Sequence, residues 1–407
     1  MIEKQKKQPE IRFNGFTDDW EQRKLGEVVK ITMGQSPDSK NYTDNSKDYI
    51  LVQGNADMKN GHVVPRVWTT QVTKEADVGD LILSVRAPVG DIGKSDYHVV
   101  LGRGVAAIKG NEFIFQYLVK MKITGYWTRY STGSTFESIN SNNIKEAEVL
   151  VPIEVEQDKI GNLFSNVDNL ITLHQREYDN LKSLKKTLLT KMFPKKGESK
   201  PELRFEGFTD SWEQRKFSNL LDKNDGIRRG PFGSALKKAF FVPESEYVVY
   251  EQQNAIYDRY DTRYNITEKK FKELHRFAIF PGDFIMSGAG TIGRISRVPE
   301  DIKQGVFNQA LIRMRISSEI TDSEFFLQWM RSDDMQRKLT QANPASAMVN
   351  LVPMSEVKDW DVMVPNKDEQ IVLGLLFRWL DNLITLHQRE LDNLKTMKKT
   401  LLQKMFV

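Results

Sequence analysis

The chain has 407 residues, too many for one hydrophobic core and suited to two or three domains of about 100–200 residues each. Its 39% hydrophobic and 28% charged residues are typical of a globular protein and exclude the fibrous and intrinsically disordered classes. The 59 basic and 55 acidic residues leave a net charge of +4, so any strongly basic surface must arise from local placement.

The absence of cysteine excludes disulfides, thiolate metal sites and cysteine nucleophiles. The amino-terminal stretch MIEKQKKQPE has no apolar core segment, and no run of about 18 apolar residues follows. These features predict a cytoplasmic protein that does not span a membrane.

The first recognisable element is PEIRFNGFTDDWEQRK, Pro9–Lys24. It returns as PELRFEGFTDSWEQRK, Pro201–Lys216, with 13 of 16 positions identical. We call these two copies the WEQRK segments. A repeat this long indicates an internal duplication, so the chain is expected to contain two related halves.

Each WEQRK segment is followed by a variable body, and the two bodies share a skeleton. Gly79–Gly93 and Gly282–Gly293 both predict a strand, a glycine-rich turn and a second strand, because alternating apolar residues flank residues suited to tight turns. Arg103–Gly110 and Asn308–Arg315 predict a matching later strand in each body. Divergence is therefore concentrated in the middle of each half.

A second repeat closes each half. Asp168–Phe193 and Asp381–Phe406 are identical at 22 of 26 positions, and VPxxxEQxxxG precedes both copies, at Val151 and Val364. The apolar residues recur with a heptad period, which predicts two helices of roughly 38 residues and about 57 Å each. Neither helix can bury its apolar stripe alone, so we expect the two to pair antiparallel. The residues predicted for this seam or for a partner contact are Ile160, Val167, Leu170, His174, Leu181, Leu184, Leu188, Leu373, Leu380, Leu383, His387, Leu394 and Leu401.

Together these elements predict an α+β protein with mixed β-sheets and a pseudo-twofold internal repeat. The expected order is a first globular domain at residues 1–150, a long central helix at 151–196, a second globular domain at 197–363 and a long carboxyl-terminal helix at 364–407.

This layout resembles the DNA-specificity subunit of Type I restriction–modification systems over essentially the whole chain. The resemblance rests on the WEQRK segments, on GDLILSVRAPVG, on STGSTFESINSNNIKEAEVLVP at Ser131–Pro152, and on the helices that end in KKTLLxKMF. It implies two target-recognition domains, each reading one half of a bipartite site in double-stranded DNA, with the helices setting the gap. It also implies a non-catalytic chain that scaffolds two methyltransferase subunits and further restriction subunits. S-adenosylmethionine, ATP and Mg²⁺ would then be bound by those partners.

The repeats lead to the same interpretation without the family. Two near-identical helical segments offer two near-identical docking faces, which suits two copies of one partner. Two dissimilar bodies would read two dissimilar half-sites, so the DNA target is expected to be asymmetric.

Arg and Lys can read guanine, and Asn and Gln can read adenine, whereas Lys and Arg also clamp phosphates. Such side chains lie in the polar, glycine-punctuated stretches of the two bodies. The candidate DNA contacts are Gln53, Asn55, Arg86, Arg103, Lys120, Lys122, Arg129, Ser131, Thr132, Ser134, Thr135, Arg228, Arg229, Lys237, Gln252, Gln253, Asn254 and Arg294. A solvated surface loop is the competing interpretation for each of them.

Catalytic and metal motifs are not complete in this sequence. Gly288–Gly293 fits GxGxxG, but a strand-like segment follows where a dinucleotide site needs a helix. The five histidines have no metal-ligand spacing, so His174 and His387 are expected to make interhelical or partner contacts and no metal is predicted.

Two alternatives of other classes remain at this point. One is a self-contained DNA methyltransferase or nuclease, which would need a full catalytic motif set. The other is a coiled-coil adaptor without DNA specificity, which would not explain why divergence is confined to two folded bodies.

Overall fold

The computed structural model describes residues 7–130, 138–195, 197–231, 233–340 and 353–407. The chain divides into two compact units. Unit 1 comprises Met1–Tyr178 and His387–Val407, and unit 2 comprises Asp179–Leu386. Within the described part of the chain, no helix combines the length and apolar character needed to cross a bilayer.

Unit 1 contains mixed β-sheets flanked by helices. Its strands are β1 Glu21–Lys24, β2 Lys30–Met33, β3 Tyr42–Thr43, β4 Tyr49–Val52, β5 Met58–Lys59, β6 His62–Val63, β7 Trp68–Thr69, β8 Glu75–Ala76, β9 Leu81–Ser84, β10 Ile92–Lys94, β11 Val99–Leu101, β12 Val105–Lys109 and β13 Glu148–Val151. Its helices are α1 Leu25–Val28, α2 Glu112–Ile123, α3 Ser141–Lys145 and the first part of α4 Glu154–Lys191.

The strands of unit 1 form two principal sheets, with orders β2-β12-β9-β10-β6-β5 and β3-β7-β4-β11-β8. Pairing is antiparallel except for β10 with β6 and β11 with β4, which are parallel. The predicted strand–turn–strand is confirmed as the antiparallel pair β9 and β10, and the predicted later strand is β12 beside β9.

Unit 2 repeats this plan with fewer residues in strands. Its strands are β14 Glu213–Lys216, β15 Ile227–Arg229, β16 Phe241–Val242, β17 Tyr247–Tyr250, β18 Tyr264–Ile266, β19 Ala278–Ile279, β20 Phe284–Ser287, β21 Ile295–Arg297, β22 Gly305–Phe307, β23 Leu311–Met314 and β24 Asp361–Val364. Its helices are α5 Gln252–Tyr257, α6 Glu268–Glu273, α7 Ser323–Arg331, α8 Asp333–Thr340, α9 Met354–Asp359 and the first part of α10 Lys367–Met405. The principal sheets have orders β15-β23-β20-β21 and β16-β18-β17-β22-β19.

The long helices α4 and α10 have 38 and 39 residues, which confirms the predicted length. A glutamine amide bonds back to the preceding proline at the start of each helix: Gln157 Nε2 donates to the Pro152 carbonyl at 2.9 Å, and the buried Gln370 donates through Nε2 to the Pro365 carbonyl at 3.0 Å. Each helix is shared between the compact units, with the division after Tyr178 in α4 and after Leu386 in α10. The four-part division of the sequence stays a prediction.

Each WEQRK segment is fixed to the start of a long helix within its own unit. In unit 1, β1 pairs antiparallel with β13, and the Arg12 guanidinium donates to both carboxylate oxygens of buried Glu156 at 2.7 and 2.9 Å. In unit 2, β14 pairs with β24, and Arg204 makes the same two bonds to Glu369, both at 2.7 Å. Such forked, charge-assisted bonds hold both partners in one orientation.

Four aromatic rings join the WEQRK segment to the helices in the core of each unit. In unit 1, the Phe406 ring centroid lies 6.3 Å from that of Trp20, 5.1 Å from Phe113 and 5.7 Å from Phe164. In unit 2, the equivalent centre is Phe193, and its partners are Trp212, Phe325 and Phe377 at 5.8, 5.9 and 6.1 Å. Each unit is therefore closed by the beginning of one long helix and the end of the other.

Candidate nucleic-acid interface

An open cleft in unit 1 brings together several residues that the sequence analysis singled out. It has a volume of about 340 Å³. It forms where four segments meet: the loop after β2, the loop after β4, the turn after β9 and the loop before β12. The lining residues are Ser36, Gln53, Gly54, Asn55, Arg86, Ala87, Arg103 and Gly104.

Backbone hydrogen bonds fix these loops against one another. Gly102 N donates to the Val52 carbonyl at 2.8 Å, and Val85 N donates to the Gly104 carbonyl at 2.8 Å. A Cβ atom on Gly104 would lie 2.0 Å from the Gln53 carbonyl oxygen, so only glycine allows this approach. We call these hydrogen-bonded backbone segments the frame of the cleft. We call the side chains that line the cleft, such as Gln53, Arg86 and Arg103, its rim.

A buried carboxylate shapes the turn that carries Gln53 and Asn55. Asp57 Oδ2 accepts hydrogen bonds from the backbone N–H groups of Gln53 and Gly54 at 2.7 and 3.2 Å. Its other oxygen accepts from Arg66 Nε at 2.8 Å. Asp57 therefore holds the turn that places Gln53 and Asn55 in the cleft lining, where Gln53 Nε2 donates to the Tyr42 hydroxyl at 3.0 Å.

Arg86 and Arg103 give the cleft its charge. Both are exposed, and across the described ranges neither guanidinium has an ion-pair or hydrogen-bond partner. Arg103 is positioned by its backbone N–H, which donates to Ser36 Oγ at 3.0 Å. A guanidinium left available in a framed cleft can make forked bonds to a phosphate or to the O6 and N7 acceptors of guanine.

Unit 2 builds the same frame from equivalent backbone bonds. Asn308 N donates to the Tyr250 carbonyl at 3.0 Å, as Gly102 N does to Val52. Gly288 N donates to the Ala310 carbonyl at 2.7 Å, as Val85 N does to Gly104. These bonds make Gln309 the counterpart of Arg103.

The side chains on the second frame differ from those on the first. Arg86 corresponds to Ala289, and Gln53 corresponds to Glu251. Gln309 is exposed, and its amide oxygen lies 2.7 Å from the position that a Cβ on Gly233 would take. Gln309 was not among the predicted contacts, because its correspondence with Arg103 depends on the backbone hydrogen bonds of the two units and no local sequence pattern indicates it.

The remaining candidates of unit 2 fall into two groups. Gln252 has its amide nitrogen 3.4 Å from the ideal Cβ position of Gly290, beside the glycine-rich turn, and Gln253 is half-buried. Arg229, Lys237 and Arg294 are exposed.

Asn254 and Arg228 both bond to other groups of the fold, and the burial of Asn254 corrects its selection as a DNA contact, whereas the selection of Arg228 stays a prediction. Asn254 is 1% exposed; its side chain accepts from Glu251 N and donates to the carbonyls of Arg259 and Asp261. Arg228 pairs with Asp225 at 2.7 Å. A small amide in a short helix such as α5 satisfies neighbouring backbone groups as readily as it reads a base, and the sequence does not distinguish the two roles.

Three other cationic candidates of unit 1, Lys120, Lys122 and Arg129, do not line the cleft. Lys120 Nζ donates to the Val407 carbonyl at 2.5 Å, and burial lowers the pKa of this amine. Lys122 is paired with Asp91, and Arg129 lies over the Tyr126 ring at 3.8 Å. Each of them therefore has a partner within the protein. The candidates Ser131, Thr132, Ser134 and Thr135 fall outside the described residues.

The predicted helical seam is partly buried in each unit. Ile160, Val167, Leu373 and Leu380 are buried. Leu181, Leu188, Leu383, Leu394 and Leu401 are half-buried. Leu170 and Leu184, which were predicted for the seam or for a partner contact, are each 45% exposed. A strict heptad drifts from the 3.6-residue period of a straight helix, so part of the predicted stripe turns to solvent.

Polar pairs cross between the helices inside each unit. In unit 1, Lys398 Nζ donates to the Asp168 carboxylate at 2.7 Å, and His174 Nδ1 lies 3.1 Å from His387 Nδ1. In unit 2, Lys185 Nζ donates to Asp381 at 2.6 Å. Asp381 and Lys398 lie 213 positions after Asp168 and Lys185, so the two ion pairs are copies of one another.

The comparisons with known proteins agree with this fold. The family described as Type I restriction modification DNA specificity domain matches residues 17–183 and 233–396. The chain is similar to the type I restriction enzyme MjaX specificity subunit of Methanocaldococcus jannaschii, with 32% identity over 182 residues. It is also similar to the MjaIX specificity subunit of that organism, with 25% identity over 230 residues. These alignments cover 42% and 51% of this chain and 42% and 53% of the two relatives, so the chain spans about half the length of the curated relatives it matches.

Solved structures share the fold over nearly the whole chain. The crystal structure of a Type I restriction–modification S subunit from M. genitalium has a TM-score of 0.66 at 15% identity, covering 98% of this chain and 99% of that one. A second, from work on assembly and conformational transition of a type I restriction–modification system, has a TM-score of 0.53 at 16% identity and covers 95% and 97%. Since the family match extends over both units and most of the long helices, the chain belongs to the Type I restriction–modification DNA specificity family.

Proposed function

We propose that this chain is the non-catalytic DNA-reading subunit of a Type I restriction–modification complex. Each unit reads one half of an asymmetric bipartite site in double-stranded DNA. The observation that supports this most directly is the pair of equivalent backbone frames that carry different side chains. A duplicated unit that keeps the backbone frame but carries different side chains on it is expected to bind a different DNA sequence.

The chemistry of each rim points to different bases. Arg103 and Arg86 present forked donors suited to guanine or phosphate, whereas Gln309 and Gln252 present amides suited to adenine. A reader built on unit 1 is therefore expected to favour guanine-containing half-sites, and one built on unit 2 is expected to prefer an adenine at the corresponding position.

We further propose that the repeated helices dock two methyltransferase subunits, with restriction subunits joining the same assembly. Leu170 and Leu184, which are exposed apolar residues on α4, are suited to such a contact. S-adenosylmethionine, ATP and Mg²⁺ would be held by the partners. Gly288–Gly293, which fits the GxGxxG pattern, forms the turn between antiparallel strands β20 and β21.

The test is to reconstitute the chain with its methyltransferase partner and map the methylated bases. We expect methylation of an asymmetric site with two separated half-sites, and no methylation or cleavage by the chain alone. Methyl transfer by the chain alone would refute the proposal.

A single substitution then tests the cleft. Arg103→Ala is expected to weaken binding to the cognate site by about 5- to 150-fold, which corresponds to the 1–3 kcal/mol of a bidentate base contact. Lys59→Ala removes the same charge from an exposed residue of unit 1 that does not line the cleft, so it controls for the general attraction of DNA to cations. Equal losses in both variants would mean that Arg103 contributes charge and no base reading.

The reciprocal pair sharpens the assignment. Arg103→Gln should relax or change the half-site read by unit 1 and leave the other intact, and Gln309→Arg should do the reverse. A change in the same half-site from both substitutions would contradict the separation of the two readers.

A further inference from the structure

Three metal-ligating side chains meet in unit 1, remote in sequence from the cleft residues. His174 lies on α4, and His387 and Glu390 lie on α10. His174 Nδ1 is 3.1 Å from His387 Nδ1 and 3.0 Å from Glu390 Oε2. All three potential ligand atoms lie within 4.8 Å of one another, and all three residues are half-buried.

The spacing of these atoms suits a common coordination centre. A zinc ion holds imidazole nitrogens and carboxylate oxygens at about 2.0–2.2 Å, so two ligands of a tetrahedral ion lie roughly 3.3–3.5 Å apart. The distances from His174 Nδ1 to His387 Nδ1 and to Glu390 Oε2, 3.1 and 3.0 Å, are a few tenths of an ångström shorter than this range. A small side-chain rotation would increase them to it. His387 and Glu390 are three residues apart on one helix and therefore share a face.

Hydrogen bonds alone account for these short distances less well than a bound cation does. His174 Nδ1 is close to both His387 Nδ1 and Glu390 Oε2, but a single N–H cannot point along both directions at once. A cation between the three atoms accepts a lone pair from each of them.

We propose that His174, His387 and Glu390 bind one divalent transition metal of the zinc class, with a water molecule as the fourth ligand. Two imidazoles favour Zn²⁺, Co²⁺ or Ni²⁺ over Mg²⁺, which prefers oxygen ligands and keeps its water shell. The ion links helices whose ligands are 213 positions apart and stabilises their contact inside unit 1. This proposal does not depend on DNA reading.

No spacing of histidines along one segment indicates this group. One histidine lies in each copy of the repeated sequence DNLITLHQRE, at Asp168–Glu177 and Asp381–Glu390, and the two come together only when α4 and α10 pair. Glu177 is the first-copy counterpart of Glu390; it is exposed and is not a member of the three-residue group. It therefore provides a matched control.

The experiment uses the full chain, purified without a polyhistidine tag, stripped with a chelator and titrated with Co²⁺ and Zn²⁺. We expect one Co²⁺ per chain with visible absorption typical of tetrahedral coordination, displacement by Zn²⁺, and no competition from excess Mg²⁺. Saturating Zn²⁺, at about 100 times its Kd, should raise the Tm of unit 1 by roughly 5 °C.

Variants identify the ligands. His387→Gln, His174→Gln and Glu390→Gln should each weaken metal binding at least tenfold, whereas Glu177→Gln and His275→Gln should leave it unchanged. Melting of the metal-free variants shows which remain folded, and Glu390→Gln alters a side chain that is 41% exposed, so it keeps the test valid if a histidine variant unfolds. No saturable binding by the wild-type chain, or unchanged binding in folded Glu390→Gln and His174→Gln variants, would overturn the proposal.

Discussion

The ion pair between Arg12 and Glu156 is expected to be a principal attachment of the first WEQRK segment. Glu156 is 0% exposed, and both of its carboxylate oxygens accept from the Arg12 guanidinium, which raises the pKa of Arg12 through that hydrogen bond. Arg12→Met keeps much of the side-chain volume but leaves a carboxylate buried without its counter-charge. Breaking a buried pair in this way costs about 3–5 kcal/mol, so Arg12→Met should lower the free energy of unfolding of unit 1 by that amount.

Hydrogen exchange measured by mass spectrometry locates the effect. Amides of Glu154–Phe164, at the start of α4, should lose protection in Arg12→Met. In Arg204→Met, which removes the equivalent partner of Glu369, protection should fall at the start of α10 instead. These paired results would show that each WEQRK segment stabilises its own unit.

An exposed pair supplies the control. Arg23 lies 3.5 Å from Glu27, and both side chains are well exposed, so Arg23→Met should cost no more than about 1 kcal/mol. Combining Arg12→Met with Glu156→Met should restore most of the stability, because the buried charge is then gone. Similar small losses in Arg12→Met and Arg23→Met would refute the reasoning.

Two further substitutions test the cores. Phe406→Ala removes a ring that is 2% exposed and packs on Trp20 and Phe113. We therefore expect the free energy of unfolding of unit 1, measured by urea denaturation, to fall by about 3–5 kcal/mol. A decrease below about 1 kcal/mol would mean that the carboxyl-terminal end of α10 is not part of this core. Asp225 tests unit 2: burial would raise its pKa, but hydrogen bonds from Arg313 and Arg228 outweigh burial and hold the pKa at about 2. Because the pKa is lower in the folded state, the ionised Asp225 stabilises the fold at pH values above its ordinary pKa of 3.8. This stabilisation is lost as the pH falls toward 2. The wild type should therefore be more stable than Asp225→Asn by on the order of 2 kcal/mol between about pH 5 and 7, with the difference shrinking below about pH 4; a difference independent of pH would contradict the assigned cause.

The sequence predicted the regular elements well because the duplication presents each of them twice. The heptad period in two near-identical copies indicated α4 and α10, and alternating apolar residues around glycine-rich turns indicated β9 with β10 and β20 with β21. These signals are local, since they depend on the period of apolar residues along one segment.

The contacts that position the site were not predictable in the same way. Arg12 meets Glu156 across 144 positions, and His174 meets His387 across 213, so no spacing along the chain indicates either pair. Arg103 and Gln309 became counterparts only through the hydrogen bonds of their frames. The heptad period also did not indicate which residues of the apolar stripe contact the other long helix and which remain exposed, as Leu170 does.

Asn254 illustrates why individual DNA contacts are hard to select from sequence. Its surroundings in EQQN match the chemistry of base reading, yet Asn254 lies in α5 and its amide bonds three backbone groups that precede or follow this helix. Asparagines beside turns stabilise the backbone through the same donors and acceptors that read a base, so residue type alone cannot decide the role.

The central claim is that two units with one frame read two different half-sites. The most direct measurement replaces residues 25–150 with the corresponding body of another family member, reconstitutes the chain with its methyltransferase partner and maps the methylated bases. The account predicts that one half-site changes while the other half-site and the gap between them stay as they were. A change in both half-sites, or a symmetric site without a gap in the unmodified protein, would contradict it.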